Sequence, residues 1–337
     1  MQWVEFPDSR LPVFGLPFFE ENKPDLYRLP KSRQASYREA VWGLGLCPSG
    51  GRIRFATDAA ELAIRLDYGD VGHMNNMHRI GQHAVDCYVD GVYWRNAAPL
   101  EGEPRIETVL FSGAPRARRE VALYLPLYHR VSVQAIGLSD GARLDPPAAF
   151  ARSLPVVFYG SSITQGGCAT RSGLSYQAML CRRLNLDHVN LGFSGNGRGE
   201  PAVAETMADI PASCLVMDYS QNCPTVEEVR ETYAPFLAIL RSRQPEVPIV
   251  CITPIGSAAE AFDEGHRRGL EQRREVIREA VEARRQQGDT RIEVIEGHDL
   301  LGPAQMDGIV DSSHPNDLGF SYMADGLEQP LAAALGL

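Results

Sequence analysis

The sequence has no apolar run near the roughly 18 residues that a membrane-spanning helix needs. Its first residues, Met1-Gln-Trp-Val-Glu-Phe-Pro-Asp8, carry no basic stretch leading into an apolar one. Neither a membrane span nor a secretory leader is therefore expected, and the chain is assigned to the cytoplasm. Cation excess is missing too: 33 lysines and arginines face 43 aspartates and glutamates, a formal net charge of −10. Such a chain is a poor partner for nucleic acid or an anionic membrane. The seven cysteines are scattered and form no CxxC pair. That argues against a zinc knuckle or a disulfide framework and fits reduced thiols. Glycine and proline, by contrast, are plentiful at 31 and 23, a turn-rich composition suited to many short strands.

Those strands show in the first 150 residues. Polar and apolar residues alternate in Arg52–Phe55, Glu61–Leu66, Asp86–Trp94, Glu120–Leu125 and Arg130–Val133. Period two with turn signals such as Asp90-Gly91 predicts antiparallel strands, one face buried and one wet, and hence a β-sandwich. Residues 139–155 are rich in turn formers and read as a linker. Beyond it the pattern changes. Short apolar runs at 155–159, 214–217 and 248–252, and a further strand pattern at 291–295, alternate with helical patterns at 175–184, 227–241 and around 270–288. Strand and helix in alternation predict a parallel sheet with helices on both faces. The expected domains are 1–148, an antiparallel sandwich, and 149–337, a three-layer α/β/α domain.

Open parallel sheets bind ligands beyond the carboxyl ends of their strands, so segments directly after strands matter most. Three stand out. Tyr159-Gly-Ser-Ser-Ile-Thr-Gln-Gly166 places serine at a glycine-flanked strand-to-helix turn, where helix amides suit a developing oxyanion. Taken alone, it could be a plain helix cap. Asp311-Ser-Ser-His-Pro-Asn316 puts a carboxylate three residues before a histidine whose backbone Pro315 keeps extended. A serine nucleophile needs such a base, and the base needs a group that fixes its tautomer. Finally, Asn190–Gly197 and Asp218–Asn222 could present backbone amides and a side-chain amide, donors of the oxyanion-stabilising type.

Together these segments resemble the blocks of the SGNH hydrolases, or GDSL esterase/lipase family, over about residues 153–337. Gly160-Ser-Ser-Ile163 stands where the family has its GDS block, which implies Ser162 as nucleophile. Gly195 and Asn222 match the glycine and asparagine of the second and third blocks, and Asp311 and His314 the DxxH of the fifth. Two positions depart from the pattern: Ser161 replaces the acid before the nucleophile, and Ser220-Gln-Asn-Cys223 replaces GxND. The resemblance implies a flavodoxin-like α/β/α domain, no metal and no cofactor. It implies a Ser162–His314–Asp311 triad, with an oxyanion hole of the Ser162 and Gly195 amides and the Asn222 side chain. Some members carry a β-sandwich in front, and Ala84-Val-Asp-Cys-Tyr88 is similar to the GxDLY signature of one such jelly-roll-like domain.

The expected function is hydrolysis of short, acetyl-like esters of a carbohydrate or small metabolite. An acyltransferase with the same triad is the alternative, and a non-catalytic sugar-binding protein using Trp42, Tyr93 and Trp94 is a weaker one. Cys168 and Cys223 lie near the blocks but lack the serine's turn and read as small buried hydrophobes. His73 and His78 are five residues apart, a spacing that does not stack two imidazoles for a metal. Their segment reads as a loop between strands, with Asn75 and Asn76 as candidate substrate contacts. The edge strands of the sandwich leave a homo-oligomer open.

Overall fold

Ten strands fall in the first part of the chain. They are β1 (Gln2–Glu5), β2 (Val13–Phe14), β3 (Arg52–Thr57), β4 (Leu62–Asp67), β5 (Val85–Val89), β6 (Val92–Ala97), β7 (Arg105–Phe111), β8 (Arg119–Tyr124), β9 (Ser132–Leu138) and β10 (Leu144–Asp145). The computed structural model describes every residue, Met1–Leu337. One antiparallel sheet has the order β1-β9-β4-β7, and a second has β10-β3-β8-β5-β6 with β2 added to β3. Ile64, Leu66, Val133 and Ile136 of the first share one buried cluster with Ile53, Phe55, Val85 and Leu123 of the second. The sandwich expected from the sequence is therefore present, with its core between the inward faces.

Three short helices, α1 (Phe19–Asn22), α2 (Glu39–Gly45) and α3 (Arg79–His83), fall among these strands. At four to seven residues they are too short to show a 3.6-residue period. Trp42 lies on α2, edge-on to Tyr27, so it is not a sandwich-strand aromatic. Tyr93 is covered by the Arg171 guanidinium at 3.8 Å, which leaves Trp94 alone exposed (60%).

Two compact units result. The first holds Met1–Gln34, Trp42–Phe150 and Thr170–Gly173; the second holds Ala35–Val41, Ala151–Ala169 and Leu174–Leu337. The signature residues on β5 account for the outlying piece of the first unit. The buried Asp86 carboxylate accepts the Gly173 N–H at 2.8 Å and the Arg171 guanidinium at 3.3 Å. Arg171 also donates to the Tyr88 hydroxyl, and Ser172 to the Ala84 carbonyl.

The second unit is built on five parallel strands: β11 (Val156–Gly160), β12 (His188–Gly192), β13 (Cys214–Asp218), β14 (Ile249–Ile252) and β15 (Ile292–Ile295). Their order is β12-β11-β13-β14-β15, and the first four are buried throughout. The helices are α4 (Ser162–Gln165), α5 (Tyr176–Arg183), α6 (Pro201–Ala208), α7 (Val226–Arg243), α8 (Glu264–Gln286), α9 (Gly297–Leu300) and α10 (Asp317–Leu335). They pack as two groups, α5 with α10 and α6 with α7 and α8, flanking the sheet as right-handed crossovers require. The chain first steps from β11 to β12, then crosses back to β13. That reversal is the switch point beyond which such sheets open a crevice.

Candidate active site

Three loops leave the carboxyl ends of the strands beside that reversal. After β11 the backbone turns directly into α4, whose N-cap is Ser161: its Oγ accepts the Ile163 N–H at 3.2 Å. The residue standing in place of the expected acid thus caps the helix that carries Ser162. Gly160 permits the turn, because a Cβ there would lie 2.4 Å from the Asp218 carbonyl oxygen. The carboxylate that braces α4 comes instead from Asp218, at the end of β13. It is fully buried and accepts hydrogen bonds from Thr164 Oγ1 at 3.0 Å and Tyr176 Oη at 3.1 Å. Burial pushes this carboxyl up to about 6 against the lowering effect of those bonds. In the sequence Asp218 looked only like the start of a loop. A buried acid ending an apolar strand is the signal that could have singled it out.

Ser162 Oγ lies 2.8 Å from His314 Nε2, and His314 Nδ1 lies 2.8 and 2.9 Å from the two Asp311 oxygens. Asp311 Oδ1 also accepts the backbone N–H of His314 at 2.9 Å and of Ser313 at 3.2 Å, so one carboxylate folds the turn and orients the ring. A bridge between Ile309 and Pro315 closes the base of the turn, and Asn316 caps α10 just beyond it. With the Nδ1 proton held by Asp311, Nε2 is left as an acceptor for the serine hydroxyl. The arrangement can pass that proton to the ring while the carboxylate steadies the resulting imidazolium.

Gly195 and Asn222 line the same cavity as Ser162 and His314. Gly195 has φ +66°, a left-handed conformation that favours glycine, and its N–H has no acceptor in the protein. Asn222 Oδ1 accepts the Gly197 N–H at 3.2 Å, which turns the amide so that Nδ2 is its free donor. Asn190 and Gly192, expected in the same loop, belong to β12 instead. There the Asn190 side chain donates to the Thr164 carbonyl and accepts the Gly192 N–H, tying β12 to α4.

Two arginines hold these loops from outside, and neither was picked out from the sequence. Arg38 donates to Glu200 at 2.6 Å and to the side chain and carbonyl of Asn196, next to Gly195. Arg273 of α8 donates to the Ser220 and Cys223 carbonyls, on either side of Asn222. Their partners lie far off in sequence, where no local spacing could announce them.

The cavity, about 550 Å³, is lined by residues of the second unit alone, including Ile163, Pro254, Ile255 and Leu270. Asn75 and Asn76 lie in the first unit, between β4 and α3, and are not among its lining. His78 of that segment caps α3. Neither Cys168 nor Cys223 lines the cavity, and burial pushes their thiols up to about 12 and about 11. Donor atoms of Cys168, Asp311 and His314 do lie within 4.8 Å of one another, as three metal ligands could. Both ring nitrogens of His314 are already engaged, by Asp311 and Ser162, so the cluster fits a proton path better than a ligand set. No helix is long and apolar enough to cross a membrane.

A profile of the GDSL-like lipase/acylhydrolase family matches residues 153–332, and one for the N-terminus of SGNH-hydrolase-type esterases, GxDLY, matches residues 1–144. A structure described as a GDSL-like lipase from Bacteroides ovatus superposes with a TM-score of 0.89 at 29% identity, covering 99% of this chain and 98% of that one. Salicylyl-acyltransferase SsfX3, from a tetracycline biosynthetic pathway, gives 0.83 at 23% identity, with 100% and 98% covered. A family two carbohydrate esterase from Clostridium thermocellum, in complex with cellohexaose, gives 0.67 at 15%, with 99% of both chains covered. At their identities the last two speak to the fold alone. The sequence has no significant match among curated proteins.

Proposed function

The chain belongs to the GDSL-like lipase/acylhydrolase family, and from that premise we propose that it is a serine esterase cleaving short acyl esters of a carbohydrate or small metabolite. The observation that carries this reading is the unbroken Ser162–His314–Asp311 hydrogen-bond chain at the wall of a cavity shared with Gly195 and Asn222. His314 takes the Ser162 proton as Oγ attacks the ester carbonyl. The negative charge that gathers on the carbonyl oxygen is met by the amides of Ser162 and Gly195 and by Asn222 Nδ2. Collapse expels the alcohol, which receives the proton from His314, and water then releases the acyl group by the same steps in reverse. The modest cavity and its few apolar residues suit a short acyl chain.

Hydrolysis of 4-nitrophenyl esters from acetate to octanoate tests this. Turnover should fall with chain length, and Ser162→Ala should lower kcat on the order of 10⁶-fold. A variant keeping more than a tenth of the activity would overturn the assignment. The fold is shared with an acyltransferase as well as with carbohydrate esterases. Adding an alcohol acceptor to the same assay separates the two, since a transferase yields the new ester faster than free acid.

A further inference from the structure

One face of α8 forms a wall of the cavity: His266, Gly269, Leu270 and Arg273, at i, i+3, i+4 and i+7. No aspartate or glutamate lines this space, and Arg273 supplies its one permanent charge. Three other arginines of the same helix are neutralised. Arg268 pairs with Glu264, Arg274 with Glu260 and Arg278 with Glu296. Arg273 has no acid partner: its acceptors are the neutral carbonyls of Ser220 at 2.8 Å, Cys223 at 3.0 Å and Thr225 at 3.5 Å. Unlike Arg267 and Arg285, which also bond only carbonyls, it lines the cavity. Its Nε–H has no acceptor in the protein, and Glu227 and Glu228 act on it only from beyond ion-pair distance. Burial lowers its pKa from the ordinary guanidinium value, and the distant acids only partly offset that effect. A half-buried guanidinium with spare donors is a planar fork suited to a carboxylate. His266, at the far end of the same face, lines the cavity with its Nε2 3.2 Å from Ser257 Oγ.

We propose that the ester hydrolysed at this site carries a carboxylate, on its acyl or its alcohol side, and that Arg273 recognises it. The inference rests on the serine-esterase reading and narrows its substrate from neutral esters to anionic ones. In a chain of net charge −10, long-range attraction cannot draw an anion in, so the selection has to be local.

Two matched probe pairs test this in the wild type, Arg273→Gln and Arg273→Lys. Mono-4-nitrophenyl adipate against its methyl ester places the charge on the acyl side. 3-Acetoxybenzoate against its methyl ester places it on the alcohol side. In one pair, which thereby names the side, wild-type kcat/KM should favour the anion by about tenfold or more, the scale of a hydrogen bond to a charged group. Arg273→Gln should abolish the preference and Arg273→Lys keep part of it. Loss of the brace on the Asn222 loop would lower both members of a pair alike and leave the ratio standing. Ratios at or below one in both pairs, or a preference that survives Arg273→Gln, would overturn the proposal. If the wild type cleaves none of the four, the esterase reading fails, and calorimetric titration with adipate and 3-hydroxybenzoate decides this point by itself. Binding lost in Arg273→Gln supports it, and absent or unaltered binding sinks it.

Discussion

Between Asp311 and His314 a single side chain orients the ring and also folds the turn, since the carboxylate accepts two backbone N–H groups as well as the Nδ1 proton. Asn222 has no such local support. Its amide is turned by the Gly197 N–H, its loop is held at Ser220 and Cys223 by Arg273, and the neighbouring loop is held at Asn196 by Arg38. The proposed base is thus specified by four consecutive residues, whereas the proposed oxyanion donors are specified by partners 25 to 158 residues away. A self-contained turn can be read from its sequence; a loop braced from a distance can be read only once folded.

Substitutions sharpen the contrast. At the base, Asp311→Asn should cost about 10⁴ in kcat, because the ring loses its tautomer and its counter-charge. Asparagine retains an acceptor for the turn's N–H groups, so the melting temperature should barely move. A large loss of stability would show that the turn does not fold itself. Asn222→Ala should cost about 10²–10³ in kcat with KM little changed, as removal of one oxyanion donor does. Arg38→Gln, which touches neither serine nor histidine, should cost about tenfold in kcat through displacement of the Gly195 loop. An unchanged rate would mean that this loop holds without its brace.

The smallest effect concerns stability. Asp218 has a folded-state carboxyl pKa raised to about 6 by burial, so between pH 4 and 6 the native state holds a proton that the unfolded chain releases. That contribution is complete below about pH 4 and is lost as the pH rises through 6. Asparagine in its place removes it. The melting temperature of the wild type relative to Asp218→Asn should therefore drop across this interval, and parallel curves would contradict the burial argument.

Much of this was legible beforehand. Alternation revealed β3, β4, β5, β6, β8 and the start of β9 but not β1, β2, β7 or β10, and continuous apolar runs revealed β11, β13 and β14, because burial on one face or two leaves different residue patterns. Ser162, Asp311 and His314 were legible because each sits in a short segment whose composition serves its own geometry. Asn190 and Gly192 misled, since residues typical of loops here lie within a buried strand, the asparagine satisfied by tying β12 to α4. Helix α10 escaped notice because Gly319, Gly326 and Pro330 break up its apolar pattern. Arg38 and Arg273 were illegible for a different reason: an arginine's acceptors here are mostly backbone carbonyls and distant side chains, and carbonyls have no sequence.

The exchange of short segments between the two units has a consequence for how this chain can be cut, grafted or inherited. Residues 35–41 sit on the sandwich side of any single cleavage point near 150, yet they supply Tyr37, bonded to Thr206, and Arg38, the brace on the Gly195 loop. Residues 170–173 sit on the other side, yet they satisfy the buried Asp86. A gene split at the linker would deliver two fragments, each missing a few residues that only the other can provide. The halves are therefore not interchangeable cassettes. Swapping the sandwich for that of a relative would require its 35–41 equivalent to match a foreign loop, so the two parts are expected to change sequence in concert.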